Sequence, residues 1–206
     1  MTSTDPTGAA DRIDRARSAG RSARRRLVGA DRVAATASIR DRLLDLVELQ
    51  GGTDERTASV ALYAPVDGEV DVSAIAPALR ERGMTVSLPT VGSDEADIHF
   101  RDWRPGDRLV RGQFGVLEPP QDGRCPRTAS DLDVVVAPCT AVDEAGTRVG
   151  FGGGYYDRAL GSASPRPAVV VVAFEAQVSR DPLPRRPWDV PADVVLTDAR
   201  TFRPRN

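Results

Sequence analysis

The stretch Gly146-Thr147-Arg148-Val149-Gly150-Phe151-Gly152-Gly153-Gly154-Tyr155-Tyr156-Asp157-Arg158 gathers the residue types best suited to holding an anion. Four glycines in five positions, Gly150 to Gly154, let the backbone take positive φ angles and turn several N–H groups toward one point. Arg148 precedes them and Tyr155-Tyr156-Asp157 follows, so a cation, two hydroxyls and a carboxylate flank the loop. The common phosphate-loop pattern ends in Gly-Lys-Ser/Thr; here Tyr-Tyr-Asp stands there, and the chain contains no lysine. The dinucleotide fingerprint also fits poorly, because the loop comes late in the chain and Asp157 lies three residues after Gly154. A glycine-rich surface turn is the competing reading, with Arg148 solvated and both tyrosines in the core. The strand before the loop, the arginine and the aspartate favour an anion cradle.

The elements around it follow from hydrophobic pattern. Asp133-Val134-Val135-Val136-Ala137-Pro138 reads as a buried strand before the loop, and Tyr155 to Leu160 as the start of a helix whose N-terminal partial charge would add to the pull on an anion. Residues 1–11 are rich in Thr, Ser, Pro, Gly and Ala and are expected to be a disordered tail. Arg12 to Leu49 has helical spacing, clearest from Val33 onward, with breaks suggested at Gly20 and Gly29. Gly51 to Asp54 reads as a turn, Ala58 to Tyr63 as a strand, Val72 to Arg82 as a helix ended by Gly83, and Met84 to Pro89 as a second strand. Ala168 to Phe174 is a strand buried on both faces, since it lacks alternation, and Val194-Val195-Leu196 is a short last strand. Strands alternating with helices imply a mostly parallel sheet covered on both sides, an α/β three-layer arrangement in one domain over residues 12–206.

Other reactive residue types are sparse. Glu69 follows the first strand at the end where open α/β sheets place ligands, though an acid before a helix is an equal reading. His99, the sole histidine, sits beside Phe100 in an extended segment and has no partner pattern for catalysis. Phe114 either lines a pocket or anchors its loop. Arg24-Arg25-Arg26 is expected to be a solvated helix face, given a net charge of −2.

From Pro138 to Leu160 the chain resembles the signature of the 5-formyltetrahydrofolate cyclo-ligase (5,10-methenyltetrahydrofolate synthetase) family, on the core Arg148-x-Gly150-x-Gly152-x-Gly154-Tyr155-Tyr156-Asp157. Weaker similarity extends to Glu69, to Phe114–Pro119 and to Leu183–Asp189. The resemblance implies a three-layer α/β fold similar to ribose-phosphate isomerases and CoA transferases. It implies ATP-dependent conversion of 5-formyltetrahydrofolate to 5,10-methenyltetrahydrofolate with ADP and phosphate released, a step of one-carbon metabolism. Carried over by position, ATP contacts fall on Arg17, Arg148, Val149, Gly150, Phe151, Gly152, Gly153, Gly154, Tyr155 and Tyr156. Arg148, Tyr155 and Tyr156 become the catalytic candidates. Folate contacts fall on Ala64, Glu69, Phe114 and Tyr155, and magnesium ligands on Asp157 and Asp189.

The same resemblance marks departures. The family usually carries a lysine and an arginine one helical turn apart near its start; Arg17 matches the arginine, but the lysine place falls near Ile13, between Arg12 and Asp14. Gly153 replaces a residue that is basic in some members, and Trp188 precedes Asp189 where histidine or another aromatic often stands. The missing lysine motivates a second expectation, a family member that binds folate or nucleotide without ligase activity. A third, an RNA-binding module over Arg12–Arg26, would show a steep salt dependence.

Composition narrows the classes further. A chain of 206 residues holds one well-cored domain, and its near-neutral charge gives no reason to expect nucleic acid or membrane as a partner. Cys125 and Cys139 are isolated thiols without metal spacing, which suits a reducing compartment. Acids at Asp5, Asp11, Asp14 and Asp31 argue against an organelle transit peptide, and no apolar run approaches the ~20 residues of a membrane span. A cytoplasmic monomer using ATP, Mg²⁺ and 5-formyltetrahydrofolate is the expectation.

Overall fold

A computed structural model describes residues 6–49, 57–92, 97–121 and 125–204. Two helices come first, α1 (Pro6–Arg26) and α2 (Gly29–Leu44), followed by β1 (Ser59–Ala61), α3 (Ala76–Glu81), β2 (Thr85–Val91), β3 (Ile98–Asp102), β4 (Val110–Arg111) and β5 (Leu117–Glu118). Next are β6 (Val134–Pro138), β7 (Ala141–Asp143), β8 (Arg148–Val149), α4 (Tyr155–Gly161), β9 (Ala168–Val172), β10 (Val178–Ser179), β11 (Val194–Leu196) and β12 (Thr201–Phe202).

Seven strands form the main sheet in the order β12-β11-β9-β6-β1-β2-β3. The five inner strands are parallel, and the edges β3 and β12 run antiparallel to their neighbours. Valine-rich runs form the centre because both faces are covered. Val60, Val86, Val134, Val136, Val170 and Val194 face one core with Ile39 and Leu43 of α2 and Leu79 of α3. Ala61, Val135, Ala137, Val169, Val171 and Val195 face the other, with Leu160 of α4. The result is the expected three-layer α/β/α arrangement with a mostly parallel sheet.

The chain moves from β1 outward to β2 and β3, then returns to the opposite side of β1 for β6, β9 and β11. Connections leaving the C-terminal ends of β1 and β6 therefore diverge, which opens a crevice there. A small second sheet, β10-β7-β8, stands beside that crevice and carries the glycine loop at the end of β8.

Three expectations change at the N-terminus. Helix α1 begins at Pro6, inside the segment read as a disordered tail; residues 1–5 lie outside the described residues, as does the turn over Gly51–Asp54. Gly20 does not break α1. It lies within the helix, where a Cβ would meet the Thr140 carbonyl oxygen at 1.9 Å, so glycine is what lets α1 sit directly on the backbone after β6. The second expected break, at Gly29, is present: α1 ends at Arg26 and α2 begins at Gly29 after Leu27-Val28. Finally, Arg24 is not solvated: it is 1% exposed, because α1 lies over the crevice and turns this residue inward.

Candidate active site

The glycine loop takes its shape from its neighbours. Asp143 organises the β7–β8 turn by accepting the N–H groups of Ala145 and Thr147 through one oxygen and that of Leu183 through the other. Gly152 and Gly154 have positive φ angles, +108° and +66°, and Gly154 caps α4 from the left-handed region. Gly153 has ordinary φ, but a Cβ there would meet the Tyr155 ring at 2.6 Å. Residues 151–154 remain exposed. Helix α4 has only seven residues, so the attraction expected from a helix terminus is small and the loop's own N–H groups matter more.

Arg148 and Asp157 meet, but not as free ligands. The Arg148 side chain is 5% exposed; its Nη2 donates to Asp157 Oδ1 at 2.6 Å and its Nη1 to the Val190 carbonyl. Asp157 Oδ1 also accepts the Val190 N–H at 3.1 Å. Burial raises the pKa of Asp157, against the pull of Arg148. This pair fastens the glycine loop and α4 to the segment before β11. Asp189 lies near enough to Asp157 to disfavour its charge, and its own Oδ2 accepts the Arg186 N–H at 2.7 Å. Among the described residues no group of three or more His, Cys, Asp or Glu forms a metal cluster.

Helix α1 supplies the positive charge. Arg17 donates through Nε to the Gly150 carbonyl at 2.8 Å, and its Nη2 hangs 3.4 Å from where a Gly152 Cβ would be. One turn later Arg21 lies over the Phe151 ring, 4.8 Å from its centroid. Arg12 is tied to the Pro182 carbonyl at 2.9 Å, and Ile13 packs against the small core of Ala141, Val149 and Leu183, so neither supplies a cation to the loop. Arg21, which was not singled out from the sequence, stands there instead. The i, i+4 spacing of Arg17 and Arg21 was visible, but the turn of α1 that faces the loop was not.

The other side of the crevice is a buried polar cluster. Glu69 is 7% exposed; its Oε2 accepts the Val66 N–H at 3.0 Å, while Oε1 has no hydrogen-bond partner. Burial raises the Glu69 pKa to about 7 despite Val66 N–H and Arg24. Tyr63, at the end of β1, is pushed up mainly by burial and next by the Glu69 charge; the same two causes push up Tyr156, and Cys139 to about 12. Ala64 is half-buried beside them. Phe114 is 58% exposed and meets the Tyr155 ring edge-on, centroids 5.5 Å apart, so it reaches the junction between the loop and the crevice. His99 is paired with Thr90 in the β2–β3 ladder, as a strand residue.

The cradle, the arginines and the acidic pocket thus share one crevice at the switch point of the sheet. Comparison with known proteins shows the family to which the chain belongs. The model of the 5-formyltetrahydrofolate cyclo-ligase family matches residues 13–198. A 5-formyltetrahydrofolate cyclo-ligase of Mycolicibacterium smegmatis is 36% identical over 146 residues, covering 69% of this chain and 74% of the relative. That of Escherichia coli K12 is 33% identical over 146 residues, covering 70% and 80%. The solution structure of Aquifex aeolicus 5,10-methenyltetrahydrofolate synthetase superposes with a TM-score of 0.77 at 30% identity, over 94% of this chain and 93% of that one. The Mycoplasma pneumoniae synthetase, at 21% identity and a TM-score of 0.70, shows the same fold. The chain therefore belongs to the 5-formyltetrahydrofolate cyclo-ligase family, enzymes of folate one-carbon metabolism that close 5-formyltetrahydrofolate to 5,10-methenyltetrahydrofolate at the expense of ATP.

Proposed function

We propose that this chain performs the cyclisation by phosphorylating the formyl oxygen, with ATP on the glycine loop and the folate in the pocket of Glu69. The observation that carries the reading is the meeting of an exposed glycine loop, two arginines of α1 and a buried acid in one crevice. A formyl amide oxygen is a poor leaving group. Transfer of the γ-phosphoryl forms an O–P bond as the bond to ADP breaks, leaving an iminium phosphate. Folate N10 then attacks the formyl carbon, loses its proton, and expels phosphate as the ring closes. The substrate supplies both nucleophiles, so the protein's task is alignment and charge neutralisation rather than covalent catalysis.

The residues divide by geometry. Gly150, Phe151, Gly152, Gly153 and Gly154 offer backbone to the triphosphate, and Arg17 and Arg21 offer charge. Arg148 and Val149 set the loop's position, Arg148 acting through Asp157 and Val190. Tyr155 and Tyr156 stand between nucleotide and folate, and Phe114, Ala64 and Glu69 border the folate. Mg²⁺ bound to nucleotide phosphates needs few protein carboxylates, and Asp157 Oδ2 with Asp189 would suffice to hold it. When bound it neutralises charge on the phosphates.

The test is the near-ultraviolet absorbance of methenyltetrahydrofolate after mixing protein, 5-formyltetrahydrofolate, ATP and Mg²⁺. A rise requiring all four is the expected result. A flat trace from folded protein that still binds both ligands would instead support a binding protein without ligase activity.

A further inference from the structure

Three arginines of α1 converge on one carboxylate beside the folate pocket, and the pocket's own acid is left out. Asp67 Oδ2 accepts from Arg24 Nη2 at 3.0 Å and lies 3.5 Å from Arg21 Nε, while Oδ1 accepts from Arg25 Nη2 at 2.8 Å. Asp67 holds φ +45°, the one positive φ at a non-glycine among the described residues. Aspartate adopts this left-handed conformation more readily than most residues, and the following Gly68 shares it in a tight turn. Arg24 is fully buried, and its Nη1 stands 3.5 Å from the Cys139 carbonyl and 3.9 Å from Glu69 Oε1, the second beyond a hydrogen bond. Glu69 Oε1 is thus buried without a hydrogen-bond partner although a guanidinium is next to it.

We propose that Asp67 is a positioning residue that draws Arg24 away from Glu69, so that Glu69 stands as an uncharged carboxylic acid before the folate arrives. It then meets the pyrimidinone edge of the pterin with a hydroxyl donor as well as a carbonyl acceptor. The role of Asp67 rests on the geometry above, and the use made of Glu69 rests on the folate site proposed for this crevice.

Charge around Glu69 supports this state. Arg24 faces it from α1 and Asp67 from its own loop; Tyr63 at the end of β1, Cys139 at the end of β6 and Tyr156 on α4 complete its surroundings. The last three have raised pKa values and stay neutral near pH 7, so Arg24 and Asp67 are the charges that decide. Arg148, whose charge acts on Cys139 and Tyr156, is held by Asp157. Removing the Asp67 carboxylate frees Arg24 and deletes a negative neighbour, and both effects favour ionised Glu69.

The experiment is infrared difference spectroscopy of the full chain against Glu69→Gln, following the protonated-carboxyl stretch with pH. The expected band persists to near neutrality in the wild type, and its midpoint falls by about one unit or more in Asp67→Asn. Asparagine tolerates the left-handed backbone, and Asp67→Gly provides a second variant free of strain and of any acceptor. In parallel, the pH midpoint of 5-formyltetrahydrofolate binding without ATP should move with the band. A wild-type band lost in the ordinary glutamate range, or a midpoint unmoved in both variants, overturns the proposal. Failure of the wild type to cyclise folate while the band behaves as expected would remove the proposed reaction and leave the role of Asp67 standing.

Discussion

Glu69 makes a prediction that needs no substrate. Its pKa in the folded chain is about 7, above the ordinary carboxylate value of 4.5, so the folded state holds the proton more tightly than the unfolded one. Its contribution to stability is therefore fully present below the ordinary value and is lost as pH rises toward 7. Over that window the loss is roughly 3 kcal/mol. Denaturant titrations of wild type and Glu69→Gln should differ by a pH-dependent amount of that order, with the variant gaining on the wild type between pH 4.5 and 7. A pH-independent difference would contradict the raised value. A second prediction concerns Gly153. Alanine there must displace the Tyr155 ring, so Gly153→Ala should cut turnover by about tenfold or more while leaving thermal stability within about 1 kcal/mol. Equal turnover in the two proteins would place the reacting atoms away from Tyr155.

At the scale of elements, α1 is the part whose position matters most. Gly20→Ala gains up to about 1 kcal/mol of helix propensity. It also places a methyl group against the Thr140 carbonyl, a clash costing about 1–3 kcal/mol that only lifting the helix can relieve. Net destabilisation is expected, together with a raised KM for ATP, because Arg17 and Arg21 ride on the same helix. Arg21→Ala should raise the KM for ATP about 10- to 100-fold and leave that for folate unchanged, the loss of a charge-assisted contact. Steady-state kinetics with each substrate varied would decide, and an unchanged ATP KM would exclude Arg21 from the nucleotide site.

These positions also show what the sequence could and could not reveal. Valine runs announced β6 as a buried strand and β9 as one covered on both faces, and the glycine loop announced an anion cradle, because these signals are local. Gly20 looked like a break because glycine weakens helices; its reason lies across the fold at Thr140. Arg24 looked solvated like Arg25 and Arg26, which are exposed, and only the path of α1 turns it inward. Arg148 looked like a free cation, and its engagement with Asp157 and Val190 depends on how β8 meets the segment before β11. Helical spacing gives a periodicity without saying which stripe faces the ligand.

Considered whole, the molecule is a sheet with two large apolar cores to which α1 is added. Among the described residues neither core includes one of α1; Ile13 and Ala16 join only the small cluster with Ala141, Val149 and Leu183. Among the described residues no helix is long and apolar enough to cross a membrane. Removing residues 1–26 should therefore leave far-ultraviolet circular dichroism characteristic of the sheet, while abolishing the rise in melting temperature that ATP gives the full chain. A truncated protein still stabilised by ATP would show that the loop binds nucleotide unaided.

The contacts of α1 have one further consequence. Arg17 reaches Gly150 and Arg12 reaches Pro182, so α1 has partners that leave the ribosome 133 and 170 residues after it. Until those residues leave the exit tunnel, α1 can engage Asp67 but not the glycine loop, and a nascent chain holds only half of the proposed nucleotide site. Gain of ATP affinity would then follow the emergence of Gly150 and Pro182, and chains cut short before the glycine loop would not consume ATP.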